Sequence, residues 1–177
     1  MKDRMMANSD FHTENLDSRA ATADDQAFLM ELFASTRPEE LAMFGSDEEQ
    51  KRAFVSMQFS AMTRCYPKAE NTIILKDNVP IGRTIVDRQL DELRLVDISL
   101  LPAFRNRGIG ATLVSQLLEE ARDKQLPVRL HVFKYGDAVR FYERLGFHLT
   151  EDDGSYLKME WRPGSKISKQ NTSRSPL

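Results

Sequence analysis

Residues 93–120, LRLVDISLLPAFRNRGIGATLVSQLLEE, contain the pattern that decides the fold. The first nine residues form an apolar run with β-branched members, which is typical of a largely buried strand. Pro102 ends this run, because proline cannot donate to a central ladder. The apolar residues after Gly110 recur on one face of a helix, and they are Ala111, Leu113, Val114, Leu117 and Leu118. The sequence therefore predicts a strand, a glycine-containing turn and a helix over about 108–124.

The turn between this strand and this helix has the composition of an anion-binding site. The first amides of a helix have no intrahelical acceptor, and the helix dipole adds partial positive charge there. Gly108 and Gly110 let a phosphate approach the backbone with no Cβ in the way. Arg105 and Arg107 add full positive charge beside the glycines. We therefore expect a phosphate-bearing ligand at this turn.

The spacing of the turn argues against two common phosphate-binding loops. A P-loop has Lys followed by Ser or Thr after its last glycine, whereas Gly110 is followed by Ala111 and Thr112. A dinucleotide-binding turn has a third glycine three residues after the second, where this chain has Leu113. An ordinary strand–helix connection with two turn glycines stays open as the alternative.

Composition limits the class of protein. A chain of 177 residues with 41% apolar residues predicts one domain with a real core. The formal net charge of −2 argues against a nucleic-acid binder, which normally carries a basic stripe. Cys65 is the one cysteine, which excludes an internal disulfide framework and suits a reducing compartment. Because no signal-peptide pattern and no long apolar run is present, we expect a cytoplasmic protein that does not enter a membrane.

The rest of the pattern predicts a single α+β (α/β) domain over residues 14–161. Its other elements are a short strand within 14–21, helices over 23–36 and 47–63, strands over 71–76, 81–89 and 128–133, a helix over 138–145, and a closing hairpin of strands 147–150 and 156–161. The sheet is expected to be mixed, antiparallel in its N-terminal part and parallel where the central helix crosses over, with about four flanking helices. Residues 1–13 predict a flexible arm and residues 162–177 a disordered tail.

A second motif, FYERLGF at residues 141–147, follows the glycine turn after about thirty residues, with one helix and one strand between. The turn pattern Arg-x-x-Gly-x-Gly resembles the acyl-CoA pyrophosphate loop of the GNAT superfamily of N-acetyltransferases. FYERLGF resembles the segment that closes the acyl-CoA site in that superfamily. The resemblance spans residues 71–161 and extends loosely to the first two helices. Many members have Asn at the start of the short helix, where this chain has KYGD at 134–137, so the contacts of that Asn are not carried over.

The resemblance implies a GNAT-like sheet with a splayed parallel pair and acetyl-CoA as co-substrate. The pantetheine arm would pair with the exposed backbone of Leu100 and Leu101, as an added strand does. The pyrophosphate would contact Arg105, Arg107, Gly108, Ile109, Gly110 and Ala111. The implied reaction is direct attack by a primary amine on the acetyl group in a ternary complex, with the thioester carbonyl polarised by a strand amide.

Two proton transfers complete this reaction. Alkyl amines have a pKa near ~10, so a carboxylate is expected to accept the proton of the amine, directly or through water. Asp97, within the apolar strand, is the first candidate and Glu92 the second. The alternative for Asp97 is a structural ion pair with Arg94 or Arg83. Tyr142 matches the signature tyrosine of the superfamily and would protonate the departing thiolate, unless it is a packed aromatic residue with a satisfied hydroxyl.

The acceptor amine is not specified by the sequence, and both a small amine and a protein or peptide amine stay open. An acidic lobe favours a cationic acceptor, and its residues are Glu39, Glu40, Asp47, Glu48 and Glu49. A non-catalytic acyl-CoA-binding regulator or sensor is the alternative function. No metal is expected, because His12 and His148 lack partners at ligand spacing, and His131 in its strand is expected to be structural. The closing hairpin offers an edge for a homodimer.

Overall fold

The computed structural model describes residues 16–164, which contain five α-helices and seven β-strands. The helices are α1 Gln26–Ser35, α2 Pro38–Ala42, α3 Glu48–Cys65, α4 Ile109–Lys124 and α5 Ala138–Arg144. The strands are β1 Leu16–Ala20, β2 Glu70–Lys76, β3 Val79–Arg88, β4 Leu93–Leu100, β5 Val128–Phe133, β6 His148–Asp152 and β7 Tyr156–Trp161. Short 3-10 turns at Ala23–Asp25 and Pro102–Phe104 precede α1 and follow β4.

All seven strands form one mixed sheet in the order β1-β2-β3-β4-β5-β7-β6. Every neighbouring pair is antiparallel except β4 and β5, which run parallel on either side of the α4 crossover. This parallel pairing covers only Leu93–Leu95 against Val128–Leu130. Beyond these residues the two strands separate, so the predicted mixed sheet with a splayed parallel pair is confirmed.

A β-bulge in β4 lies where the strands separate. Ile85 pairs with Asp97 and Val86 pairs with Leu95, so Val96 has no partner of its own on β3. An extra residue shifts the alternation of side chains by one position. Leu95, before the bulge, is part of the core beneath α4, whereas Asp97, after it, bonds to a side chain on the opposite face of the sheet. The bulge therefore places Leu95 and Asp97 on opposite faces of the sheet, whereas a regular strand would place both on the same face.

Helices cover both faces of the sheet, and the two largest of the three buried clusters within residues 16–164 form one core on each face. Under α4 and α5 the core contains residues such as Leu117, Leu118, Leu130 and Met159. On the other face α1 and α3 bury residues such as Leu29, Val55 and Ile73 against strands β2 and β3. Two rings of this second core, Phe33 and Phe59, meet edge to face with their centroids 5.6 Å apart. The two cores fix the helices on either side of the splayed pair.

Two elements differ from the predicted ones. Pro38 was expected to interrupt the first helix, but it also begins α2, where its missing N–H is harmless at the first helical position. Strand β3 starts at Val79 instead of 81, because Asp77 and Asn78, both with positive φ, close a two-residue hairpin turn. The predicted arm, residues 1–13, lies outside the described residues, and so does the predicted tail from residue 165 onward.

Glu120 on α4 ties this helix to the end of β3. Its carboxylate accepts hydrogen bonds from Arg88 Nε at 2.8 Å and Lys124 Nζ at 2.7 Å, and Arg88 contributes most to lowering the pKa of Glu120 to about 2. A carboxyl group with a lowered pKa in the folded state stabilises the fold above its unfolded pKa, near ~4.3, and loses that contribution as the pH falls through the folded value. We therefore expect Glu120→Gln to be less stable than the wild type near neutral pH. Thermal unfolding should show this difference shrinking as the pH falls from ~4 toward ~2, and a difference that stays constant would contradict the assignment.

Candidate active site

The separation of β4 and β5 opens a cleft of about 550 Å³. Its walls come from the end of α1, the end of β4, the loop and first turn of α4, and α5. Six of the predicted site residues line it: Leu100, Arg105, Gly108, Gly110, Ala111 and Tyr142. The structure therefore brings the glycine turn and the FYERLGF segment together on one cavity, although 31 positions separate Gly110 from Phe141 in the sequence.

The glycine turn presents a row of free backbone amides to this cleft. Asn106 and Gly108 both adopt positive φ, 59° and 81°, as in the backbone nests that bind anions. Gly108 is the N-cap of α4, and no side chain caps the helix. The first helical hydrogen bond runs from the Thr112 N–H to the Gly108 carbonyl at 3.0 Å. The amides left without an intrahelical acceptor are those of Ile109, Gly110 and Ala111.

The two arginines of the turn have different surroundings. Arg105 Nε donates to the Leu100 carbonyl at 2.8 Å, and its Nη2 donates to the carbonyl and hydroxyl of Ser35 at 3.1 and 2.9 Å. Arg105 therefore fastens the turn to the ends of β4 and α1, instead of offering the free charge expected from the sequence. Arg107 is exposed, lies 5.9 Å from the Phe104 ring and forms no ion pair within residues 16–164. Its charge is available to a phosphate.

The backbone groups that face the opening are not those of Leu101. The Leu101 N–H donates to the Ile81 carbonyl at 2.8 Å, and its own carbonyl accepts from the Phe104 N–H at 2.9 Å. This corrects the expectation that Leu101 pairs with a pantetheine arm. Because successive residues of a strand direct their N–H groups to opposite sides, those of Ile98 and Leu100 point toward the splay. Ile98 was missed, since the register that the bulge sets leaves no signal in the sequence.

Tyr142 lies on α5 and is 8% exposed, with Phe141 and Phe147 at ring-centroid distances of 5.0 and 5.5 Å. Burial raises the pKa of the Tyr142 phenol, and the negative charge of Asp97 raises it further. Within residues 16–164 its hydroxyl makes no hydrogen bond, so the alternative of a packed tyrosine with a satisfied hydroxyl does not hold there. The side chain is a protonated donor that lines the cleft.

Asp97 forms one of the ion pairs that the sequence left open. Its Oδ2 accepts from Arg83 Nε at 2.7 Å, and both of its oxygens lie within 3.0 Å of the Ser99 hydroxyl. The Asp97 side chain is 24% exposed, whereas that of Arg83 is 1% exposed. The charge of Asp97 also acts on the Tyr142 pKa, which places the two groups in one electrostatic environment. Asp97 is therefore both ion-paired and accessible.

Glu92 is not brought to the cleft. It is 3% exposed, directly before the three residues of β4 that pair with β5, at the opposite end of β4 from the glycine turn. One carboxylate oxygen pairs with Arg94 at 2.6 Å and the other pairs with Arg129. Because both oxygens are held by arginines in a buried position, Glu92 stabilises the closed end of the splay and does not meet the expectation of a second base.

Besides Ile98, the cleft contains further residues that were not singled out from the sequence, among them Arg144 and Thr36. Arg144, at the C-terminal end of α5, is exposed and forms no ion pair within the part of the chain that the structure describes. It belongs to FYERLGF, so the motif contained the signal. Thr36 reaches the cleft from the end of α1 through tertiary packing alone, which no local pattern reveals.

Residues 16–164 contain no group of three or more His, Cys, Asp or Glu side chains that could hold a metal ion. Nor does this part of the chain contain a helix long and apolar enough to cross a membrane. Burial lowers the pKa of His131, and the nearby charges of Arg94 and Lys158 lower it further.

The model of a family described as the acetyltransferase (GNAT) family matches residues 28–147, more than half of the chain. The chain belongs to this family. A curated relative, the ribosomal protein bS18-alanine N-acetyltransferase of Haemophilus influenzae, is 29% identical over 87 residues, which cover 49% of this GNAT chain and 60% of that protein. The chain thus spans less than two thirds of that relative. The sequence resemblance to the GNAT superfamily is confirmed.

Solved structures show the same GNAT fold. The PaiA N-acetyltransferase of Thermoplasma acidophilum, in complex with coenzyme A, superposes with a TM-score of 0.65 at 19% identity, covering 83% of this chain and 98% of its own. Ard1 of Thermoplasma volcanium superposes with a TM-score of 0.59 at 19% identity, covering 84% of this chain and 98% of its own. These likenesses establish the fold and confirm its predicted class.

Proposed function

We propose that this GNAT protein is an N-acyltransferase that moves an acetyl group from acetyl-CoA to a primary amine by direct attack in a ternary complex. The observation that carries the proposal is that the uncapped amides of α4 and the protonated Tyr142 open on one cleft. Coenzyme A in the T. acidophilum relative and the N-acetyltransferase activity named for the H. influenzae relative support it.

The glycine turn binds the pyrophosphate in this proposal. The amides of Ile109, Gly110 and Ala111, with the partial positive charge of the helix terminus, hold an anion without any side chain moving. Arg107 adds a full charge from the solvent side of the turn. The pantetheine arm then extends along the open edge of β4, where the N–H groups of Ile98 and Leu100 pair with its amides.

Tyr142 and Asp97 move the protons. Because the Tyr142 phenol is buried and protonated, it can transfer its proton to the CoA thiolate as the carbon–sulfur bond breaks. Asp97 attracts the ammonium form of the acceptor and accepts its proton, directly or through water, while Arg83 keeps the carboxylate in place. Most of the rate enhancement comes from holding the amine beside the thioester.

Ligand-dependent stability tests the proposal directly. Binding only to the folded state raises apparent stability, by about 2.7 kcal/mol when a ligand is present at about 100 times its Kd. We expect acetyl-CoA to raise the Tm and ATP and NAD to leave it unchanged. A screen of amines for release of the CoA thiol then tests the chemistry. If neither CoA nor acetyl-CoA shifts the Tm, the proposal is overturned. If acetyl-CoA binds but no amine causes release of the CoA thiol, the alternative of a sensor is favoured.

A cytoplasmic location and a homodimer stay predictions of the sequence.

Arg144 is proposed to contact the 3′-phosphate at the ribose end of acetyl-CoA. Dephospho-CoA lacks this phosphate, so Arg144→Ala should weaken CoA binding about tenfold and leave dephospho-CoA binding unchanged, as for the loss of one charge-assisted hydrogen bond. Arg140→Ala is the matched control, because Arg140 is an exposed arginine one turn earlier on α5 and does not line the cleft. Calorimetry with both ligands measures the difference. An equal loss of affinity for CoA and for dephospho-CoA would show that Arg144 does not contact the 3′-phosphate.

A further inference from the structure

We propose that the acceptor amine carries a carboxylate close to its amino group, as a free amino acid does, and that Arg37 binds this carboxylate at the edge of the cleft. The inference rests on the proposed acyltransferase function and specifies its second substrate.

Arg37 forms no ion pair with a carboxylate of residues 16–164. It lies between α1 and α2, with its Cζ 3.5 Å above the centroid of the Phe33 ring. Its hydrogen bonds go to neutral acceptors: the Thr36 hydroxyl at 2.7 Å, the Gln58 side-chain carbonyl at 3.3 Å and the Phe33 carbonyl at 3.4 Å. Within residues 16–164 it forms no ion pair, and its Nη2 has no acceptor. These contacts hold the guanidinium in place, and its Nη2 group is left to donate to a ligand.

A second guanidinium lies near that of Arg37. The Cζ of Arg83 is 5.7 Å from the centroid of the same Phe33 ring, which brings the two arginines close together. Among residues 16–164, Asp97 is the one carboxylate that forms an ion pair with Arg83. Arg83 Nη2 reaches only the Met62 sulfur at 3.7 Å, and its buried Nη1 has no partner within the described residues. Two cations therefore share one carboxylate.

The partly buried Arg37 guanidinium has no ion-pair partner within residues 16–164, which is costly unless an anion joins it. Placing a cation in a partly buried position disfavours the charged form unless it is paired. Burial lowers the pKa of Arg37, the negative charges of Glu40 and Asp97 raise it in part, and the charge of Arg83 lowers it again. A ligand carboxylate would satisfy the free donor and balance the charge with a charge-assisted hydrogen bond.

The position of Arg37 matches the geometry of an amino acid. Arg37 bonds to Thr36, and both Thr36 and Ser99 line the cleft. Ser99 bonds to Asp97, which carries the charge proposed to attract the amine. The cation for a carboxylate and the carboxylate for an ammonium therefore lie on the same side of the splay. Within residues 16–164, no residue of the predicted acidic lobe forms an ion pair with Arg37: Glu40 acts on it through its charge alone, Asp47 caps α3 and Glu48 pairs with Lys51.

Acceptors that differ only in the carboxylate test the inference. The pairs are L-phenylalanine with 2-phenylethylamine and L-leucine with 3-methylbutylamine. The wild type should acetylate the amino acid of each pair with a kcat/KM about ten- to a hundredfold higher, the range for a hydrogen bond to a charged group. Arg37→Gln should remove this preference mainly through KM, and Arg37→Lys should restore part of it. Arg52→Gln is the control, because Arg52 is an exposed arginine on α3 with no ion pair in residues 16–164.

Product binding provides a measurement that needs no turnover. Calorimetry with the CoA-loaded protein should show N-acetyl-L-phenylalanine binding more tightly than N-(2-phenylethyl)acetamide, and Arg37→Gln should remove the difference. Equal binding of the two products, binding of neither, or an equal loss for both acceptors in Arg37→Gln would overturn the inference. The proposed function would survive those results as long as acetyl-CoA binds and amines release the CoA thiol. If acetyl-CoA itself does not bind, the function fails first.

Discussion

Replacing Tyr142 by Phe is expected to lower kcat for acetyl transfer by about a hundredfold or more, the lower end of what a positioned general acid contributes. The change removes one hydroxyl that makes no hydrogen bond within residues 16–164, and it keeps the ring contacts with Phe141 and Phe147. Folding and acetyl-CoA affinity should therefore change little. Steady-state kinetics, thermal unfolding and calorimetry on one preparation separate the three effects.

The control for this variant is Tyr135→Phe, because Tyr135 is 77% exposed and does not line the cleft. It should retain wild-type kcat. The direction of the Tyr142 pKa adds a second expectation: since burial raises it above its ordinary value of ~10, wild-type activity should not decline below that pH through ionisation of this phenol. Full activity in Tyr142→Phe would show that the thiolate leaves without a proton from this residue.

Replacing Gly110 by Ala is expected to weaken acetyl-CoA binding by about tenfold or more without harming the fold. A Cβ added at position 110 would meet Phe141 Cζ at 3.7 Å, an ordinary van der Waals contact, so the protein has room for it. Alanine also has a higher helix propensity than glycine, by up to ~1 kcal/mol. The ligand has less room, because a phosphate held by backbone amides approaches the chain where this methyl group would stand.

The signature of this variant is a stable fold with impaired ligand binding, measured by unfolding without ligand and by acetyl-CoA titration. Gly136→Ala serves as the control, because Gly136 is outside the cleft, and its added Cβ would be 3.5 Å from the Phe133 carbonyl. Gly108 gives a less clear test, since its φ of 81° would strain any other residue. Unchanged acetyl-CoA affinity in Gly110→Ala would place the pyrophosphate elsewhere.

Local sequence patterns predicted the parts of this site that depend on backbone geometry. The apolar run, Pro102 and the two glycines predicted the strand, the turn and the uncapped helix start, because each rests on neighbouring residues. The pattern over 138–145 predicted the short helix that carries Tyr142, and Gly146 follows that helix with a φ of 92°. These features follow from chain geometry over a few residues.

The roles of several charged side chains could not be predicted in the same way. Arg105 bonds to Ser35, which is 70 positions earlier. The sequence left Arg83 and Arg94 as equal candidates for the Asp97 partner, of which the sheet brings Arg83. Such partners are brought together by the sheet, so a single stretch of sequence does not identify them. Glu92 was expected near the cleft because it is close to Asp97 in the sequence. In the extended strand, however, Glu92 lies four residues before Val96, where the opening begins.

Val96 has a consequence that reaches beyond its own side chain. A strand of the same length without the bulge would place Asp97 on the face of Leu95, in the apolar core beneath α4, and the N–H groups at the end of β4 would exchange sides. Deleting Val96 would remove the bulge differently: Leu95 and Asp97 would become direct neighbours, so Asp97 should keep its present face. The face that Asp97 reaches is thus set by one extra residue in a strand, a property that substitution scanning does not vary.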